Sequence, residues 1–308
     1  MAKIGSSDLD VHGLNLGGNV FGWTADQDTS FAVLDAYTAA GGNFIDTADA
    51  YQGFNPDKPG DGSEAVIGAW LARRGRRDDI VIATKVGSLA SRPGLSAKNI
   101  AAAAEESLKR LRTDHIDLYY AHRDYDDTPL EETLGAFDAL VRSGKVRYIA
   151  ASNYTAARLK EALSISEREG FAKYVALQPH YNLLEREYEQ ELAPLIKREG
   201  LSTLPYFGLA KGFLAGKYRS KDAATLSPRA KGAMSYLDGH GERVLGVLDE
   251  IAAAHGVSVA AVSLAWLAAQ PTVTAPIASA RNTEQLADLL PFVDLKLTDD
   301  ELKMLTDQ

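Results

Sequence analysis

Four side chains able to move a proton fall at or just past the ends of short apolar runs. Asp46 closes the run from Asn43, Lys85 closes Ile80-Val81-Ile82-Ala83-Thr84, and His122 follows Ile116-Asp117-Leu118-Tyr119-Tyr120-Ala121. Tyr51 stands five residues beyond Asp46. A free phenol ionises near pH ~10. A neighbouring ammonium favours phenolate and draws that value toward neutrality. A carboxylate holds such an ammonium charged and aimed, and an imidazole can donate to a carbonyl oxygen. Together these groups make a general acid beside a polarised carbonyl, with no nucleophile and no metal. No side chain can supply a hydride, so a nicotinamide cofactor is implied.

Taken singly, each residue has an ordinary reading: a cap, a surface cation, a core histidine, a packing phenol. The case rests on their falling together at adjacent strand ends, so the elements that place them matter. Helical segments with apolar residues at three-to-four spacing alternate with short β-rich runs. Asp28–Ala40 leads through Gly41-Gly42 to Asn43–Asp46. Ser96–Leu111, with Ile100, Ala104, Leu108 and Leu111 on one face, leads to Ile116–Ala121. Thr128-Pro129-Leu130-Glu131 reads as a capping box with proline at the first helical position, starting a helix that stops at Gly144. Val146–Ala151, a helix from Thr155, Tyr174–Gln178, a helix ending at Gly200 and Ser202–Tyr206 follow. Helices over Glu242–His255 and Ser258–Ala269 precede the strand Val273–Ala278, and helices from Thr283 and Thr298 close the chain.

With a first strand at Leu14–Gly18 and the Ile80–Lys85 run, eight strands alternate mostly with helices. This predicts a (β/α)₈ TIM barrel, an α/β fold, preceded by a short hairpin over Met1–Val11 and carrying extra helices near the C-terminus. A doubly wound open sheet is the runner-up, but no phosphate-binding turn follows the first strand. No composition break marks a linker, so residues 1–308 are read as one domain.

The chain has 308 residues, 45% of them hydrophobic and 24% charged, which argues against disorder. There is no run of 18 or more apolar residues and no basic segment leading an apolar one at the N-terminus, so the expectation is a cytoplasmic protein with no membrane role. The absence of cysteine excludes disulfides and thiolate chemistry. A net charge of −9 opposes nucleic acid as a partner, and the six scattered histidines form no metal-ligand spacing. Monomer is the default.

Two nucleotide motifs fail. Gly60-Asp61-Gly62-Ser63-Glu64-Ala65 matches a dinucleotide-binding turn, but Asn55-Pro56-Asp57-Lys58-Pro59 before it is no central strand. Gly212–Lys217 is one residue short of a P-loop and runs into Tyr218. The long connection Phe207–Gly241 carries Lys211, Lys217, Arg219, Lys221, Arg229 and Lys231 alongside Asp222. It reads either as a solvated surface or as a clasp over an anionic ligand. At the C-terminal mouth of a barrel, the strand ends bring Asp46, Lys85, His122, Asn153, Gln178 and Tyr206 together, with Tyr51 just past the second strand.

These residues resemble a known family. Asn43–Tyr51, Ile82–Lys85, Leu118–His122, Gly144–Ile149 through Ser152-Asn153, Leu177-Gln178 and Pro276–Leu286 look like successive signatures of the aldo-keto reductases, over nearly the whole chain. The resemblance implies Asp46, Tyr51, Lys85 and His122 as a catalytic tetrad, with Tyr51 the acid in reduction and the base in oxidation. It implies that Ser152, Asn153 and Gln178 hold the nicotinamide carboxamide and that Tyr206 stacks on the ring. Leu209, Lys211, Gly212 and Lys217 would run beside the pyrophosphate. Ser279, Arg281 and Gln285 would bind the adenosine end, with Arg281 favouring NADP(H) over NAD(H) through the 2′-phosphate. Phe207-Gly208 replace a more usual Ser-Pro, Ser279 stands where Gly is common, and Leu289 stands where Asn is frequent.

Phe21, Trp23, Tyr125 and the Gln52–Gly62 loop are expected to border the mouth, where aromatic walls suit sugars, aryl aldehydes and flat polycycles alike. The implied activity is reversible NADPH-dependent reduction of an aldehyde or ketone, a small-molecule carbonyl substrate such as a sugar or other polar carbonyl. The alternatives are a non-catalytic cofactor-binding accessory subunit and an enzyme working mainly as a sugar or alcohol dehydrogenase.

Overall fold

The computed structural model describes residues 1–54, 62–220, 223 and 230–308. An antiparallel hairpin of β1 (Ala2–Lys3) and β2 (Asp10–Val11) comes first. Eight parallel strands follow: β3 (Asn15–Gly17), β4 (Phe44–Asp46), β5 (Val81–Val86), β6 (Ile116–Ala121), β7 (Val146–Ser152), β8 (Tyr174–Gln178), β9 (Ser202–Thr203) and β10 (Ile277–Ala278). They lie in sequence order, with β10 beside β3. The remaining seam is stitched by a bridge between Thr203 and Val273 and by the Ile277 N–H donating to the Pro205 carbonyl at 2.9 Å. The result is a (β/α)₈ barrel, as the alternation predicts.

Helices α1 (Gln27–Ala39), α2 (Ser63–Arg74), α3 (Ala97–Leu111), α4 (Leu130–Arg142), α5 (Ala156–Glu169) and α6 (Tyr188–Glu199) are crossovers between successive strands. The short α7 (Ala230–Ala233), then α8 (Gly239–His255) and α9 (Val259–Ala268), precede β10, and α10 (Thr283–Leu289) and α11 (Asp299–Thr306) follow it. Local chemistry sets many of these boundaries. Ser96, Thr155 and Ser258 accept N–H groups of the first turns of α3, α5 and α9. Gly170, Gly200 and Gly256 end α5, α6 and α8 in left-handed conformation, where a Cβ would be strained. Among the described residues no single helix is long and apolar enough to cross a membrane.

Three local expectations are corrected. Pro129 itself is the N-cap of α4, with ψ 136°, so Glu131 sits one position too early to reach back. The Thr128 hydroxyl turns to Asp127, and Glu131 accepts from Arg168 at 3.1 Å. A true capping box forms instead at Thr298 and Glu301. The strands at Ser202–Tyr206 and Val273–Ala278 are cut to two residues each, because Pro205 and Pro276 lack the N–H that a ladder needs. Finally, α8 starts at Gly239, three residues before the expected Glu242, because Asp238 caps the His240 and Gly241 N–H groups.

Period-two alternation sorts the strands. Phe44, Val81, Ala83, Leu118, Tyr120 and Ala150 point into the barrel and pack on Ile4, Leu9 and Val11 of the hairpin, which plugs one end. Ile45 and Ile82 face the helices on one side, Tyr119 and Ala121 those on another. Burying side chains of this size contributes about 1.5–3 kcal/mol each. The inward rows continue to Asp46, Lys85 and His122, so the same alternation that builds the core aims these groups at the open end.

Candidate active site

Lys85 has no exposed surface and Asp46 has 2%. The ammonium forms an ion pair with Asp46 Oδ1, donates to the Thr47 carbonyl at 2.8 Å, and lies 3.5 Å from the Tyr51 hydroxyl. Gln178 Nε2 donates to the other Asp46 oxygen at 2.9 Å. Tyr51 rides a short 3₁₀ turn, Asp49–Phe54, that follows β4 directly. Its ring meets His122 edge-on, with centroids 6.3 Å apart. The tetrad expected from strand ends is therefore a single contact network.

Burial raises the Asp46 carboxyl above its ordinary range, opposed by Lys85 and Gln178. Burial also pushes the Lys85 ammonium down, but Asp46 and Tyr51 outweigh it and leave the group above its ordinary value. The contact between the two is an ion pair. His122 is brought down to about 3, chiefly by burial and then by the charges of Lys85 and Arg123. Near neutral pH its imidazole is uncharged, and it donates through one ring N–H. Its Nδ1 is buried and has no partner among the described residues.

A second network lies beside the first. Ser152 Oγ donates to the Gln178 carbonyl at 2.9 Å, and Asn153 Nδ2 donates to Ser152 Oγ at 3.0 Å and to the His122 carbonyl at 2.9 Å. The Tyr206 hydroxyl donates to Asn153 Oδ1 at 2.7 Å. Asn153 takes a left-handed conformation, φ 57°, which Asn tolerates better than most residues. The other face of Tyr206 stacks on His180 at 5.3 Å, 13° from parallel.

Both networks open into one cleft of about 880 Å³. Among the residues expected to hold a cofactor, Ser152, Asn153, Gln178, Tyr206, Leu209, Lys211, Gly212, Lys217, Ser279, Arg281 and Gln285 all line it. So do Asp46, Tyr51 and His122, while Lys85 lies behind them. Phe207, Ala210, Lys211 and Gly212 are all left-handed, a costly turn held in part by Asn182 donating to the Phe207 carbonyl at 2.9 Å. Ser279 donates to Asn19 at 2.8 Å and sits so close over Gly17 that a Cβ there would lie 2.5 Å from its hydroxyl. Gln285 accepts the Arg281 N–H at 3.1 Å.

The aromatic wall differs from expectation. Phe21 is 1% exposed: it closes the 3₁₀ turn Gly18–Val20 that follows β3 and joins the helix-side cluster that holds Phe31 of α1 and Trp70 of α2. Tyr125 hydrogen-bonds the Gly87 carbonyl, and both it and Trp23 are partly buried away from the cleft lining. Of the basic connection, Lys211 and Lys217 reach the cleft, but Arg219 is turned to Asp249 through a double hydrogen bond at 2.6 and 2.7 Å. Lys231 is exposed and outside the lining. Lys221, Asp222, Arg229 and most of the Gln52–Gly62 loop, with Gly60-Asp61, lie outside the described residues. Sequence reasoning passed over Asn19, Thr24, Arg123, Ser258 and Asp288, which also line the cleft. Arg123 had a usable signal: it directly follows His122.

The Aldo/keto reductase family profile matches residues 13–307. The chain is 37% identical over 313 residues to an uncharacterized oxidoreductase, YrpG, of Bacillus subtilis, covering 99% of this chain and 94% of that protein. It is 32% identical to Protein tas of Escherichia coli, with 97% and 94% covered, and 30% identical to norsolorinic acid reductase stcV of Emericella nidulans, with 100% and 79% covered. The barrel sets a buried carboxylate and ammonium with a half-buried phenol and imidazole at one mouth, and the proteins it resembles include oxidoreductases. The chain belongs to the aldo/keto reductase family.

Proposed function

We propose that this protein reduces an aldehyde or ketone to the alcohol with NADPH, reversibly, and that residues 1–308 act as one catalytic domain. The observation that carries the reading is Lys85, fully buried and in contact at once with Asp46, the Thr47 carbonyl and the Tyr51 hydroxyl.

The cleft fits a dinucleotide by its donor set. Amide and hydroxyl groups gather beside Tyr51, an aromatic ring stands next to them, and cations follow along the wall. Ser152, Asn153 and Gln178 would take the carboxamide and Tyr206 the ring. Leu209, Lys211, Gly212 and Lys217 would flank the pyrophosphate, with Ser279, Arg281 and Gln285 at the adenosine end. The Arg281 guanidinium has no ion pair among the described residues, which supports a 2′-phosphate partner and NADP(H) over NAD(H). When bound, the nicotinamide supplies the hydride.

The chain's own residues do the rest. Tyr51 gives its proton to the carbonyl oxygen in reduction and takes it back in oxidation. The Lys85 ammonium stabilises the phenolate left behind, and Asp46 keeps that ammonium charged and aimed. Neutral His122 orients the carbonyl by donating to its oxygen, without competing for the proton. Trp23 and Tyr125, set back from the cleft, are assigned to the outer contacts of a large substrate.

Tyr51→Phe tests this. The variant should lose NADPH-dependent turnover of a panel of aldehydes by roughly a hundredfold or more, while NADPH binding by fluorescence is retained. Undiminished turnover would refute Tyr51 as the acid. A wild type that binds NADPH and turns over no carbonyl would favour the accessory-subunit reading.

A further inference from the structure

The catalytic end of the cleft carries an uncommitted cation. Arg123 lines the same wall as Tyr51, His122, Asn153 and Tyr206. Its Nε donates to Ser88 Oγ at 3.2 Å, and its two terminal nitrogens have no hydrogen bond or ion pair among the described residues. The carboxylate next in sequence cannot neutralise it. Asp124 is held by Arg158 through two hydrogen bonds, at 2.6 and 3.0 Å. Asp126 and Asp127, on the same loop, form no ion pair with Arg123 among the described residues.

This is unusual for the molecule. The chain is acidic, with net charge −9, and most of its described arginines are paired: Arg73 with Asp35, Arg77 and Arg147 with Asp117, Arg110 with Glu64, Arg219 with Asp249. Of the described arginines without an ion pair, Arg123 and Arg281 line the cleft, one beside the tetrad and one at the far end. The other groups at the tetrad offset one another. Asp46 and Lys85 form a closed pair, and His122 is neutral. Arg123 therefore adds an unpaired positive charge to the cleft beside the tetrad.

A guanidinium with both terminal nitrogens open matches a carboxylate or phosphate through two parallel hydrogen bonds. We propose that Arg123 selects carbonyl substrates bearing an anionic oxyacid group, which it binds at the mouth while the carbonyl faces Tyr51 and His122. This rests on the reductase reading of the same site.

The test compares matched aldehydes: 4-carboxybenzaldehyde against its methyl ester, and glyceraldehyde 3-phosphate against glyceraldehyde. In the wild type, kcat/KM should favour the anionic member of at least one pair roughly tenfold or more, mainly through KM. The pair that shows it tells carboxylate from phosphate. Arg123→Gln should bring that ratio close to one, and Arg123→Lys should restore part of it. A ratio near one for both pairs in the wild type overturns the inference, as does a ratio that Arg123→Gln leaves intact. Failure to reduce any aldehyde instead overturns the reductase reading. Calorimetry then reads Arg123 by itself: 4-carboxybenzyl alcohol should bind the wild type more tightly than benzyl alcohol, or glycerol 3-phosphate more tightly than glycerol, and equal affinities within both pairs, or a difference surviving in Arg123→Gln, refute the role.

Discussion

Asp49 opens the 3₁₀ turn that carries Tyr51, yet it is 1% exposed and its Oδ1 has no partner among the described residues. The nearby Glu64, also buried, accepts from Thr84 at 2.6 Å and Arg110 at 2.7 Å. Burial first, then the Glu64 charge, pushes the Asp49 carboxyl up from 3.8 to about 7. Because the folded value lies above the unfolded one, the folded state holds the extra proton between them. Stability must therefore fall as pH rises through this window and level off above it. At about 1.4 kcal/mol per unit, the fall between pH 5 and pH 8 is about 2–3 kcal/mol.

Asp49→Asn keeps the shape and removes the charge, so that slope should vanish from the variant. Other titrating groups are common to both proteins and cancel in the comparison. Urea unfolding of wild type and variant at pH 5 and pH 8 reads the difference directly. The variant should gain about 2–3 kcal/mol on the wild type between the two. A stability difference independent of pH would show that Asp49 does not titrate as argued.

Three further expectations concern other groups. Asp117, 2% exposed, accepts from Arg77 at 2.6 Å, Arg147 at 2.9 Å and the Ile82 N–H at 2.9 Å. Burial opposes its charge, but His115, Arg77 and the Ile82 N–H outweigh it and hold the carboxyl well below the usual range. Asp117→Asn should cost about 3–5 kcal/mol by denaturant titration at pH 7; that difference should be full above pH ~4 and shrink in stronger acid. With His122 held at about 3, the kcat/KM profile should show no limb from this imidazole between pH 5 and pH 8. A limb near 6.5 that disappears in His122→Gln would contradict this. Arg281→Ala should lower the preference for NADPH over NADH roughly tenfold or more, measured as a ratio of kcat/KM; an unchanged ratio would disprove the 2′-phosphate contact.

Much of the site was legible because strand-end placement is a local property. Alternation sets which residues of β4, β5 and β6 face inward, and the next inward positions are Asp46, Lys85 and His122. Caps such as Ser96 and Thr155, and glycines such as Gly200, act on their own turns and read correctly in isolation. Misreadings arose where neighbours competed. Thr128 read as the cap of α4, but Pro129 takes that place, and the shift of one residue leaves Glu131 to Arg168. Pro205 and Pro276 shortened strands whose apolar pattern ran on. Phe21 looked like a mouth residue by position, but its burial against the helix layer took it into the core.

By itself, then, the sequence determined the barrel, the inward row and the four residue types at its mouth, since these follow from spacing along one chain. Only the tertiary structure decided which charges remain uncommitted. Arg158 reaches Asp124 from 34 residues away, Arg219 reaches Asp249 from 30, and Asp46 meets Gln178 across 132. Pairing between distant segments depends on how side chains converge after the barrel closes, so it leaves no mark on local sequence. That is why Tyr51 could be singled out early, whereas the open guanidinium of Arg123 beside it could be recognised only in the fold.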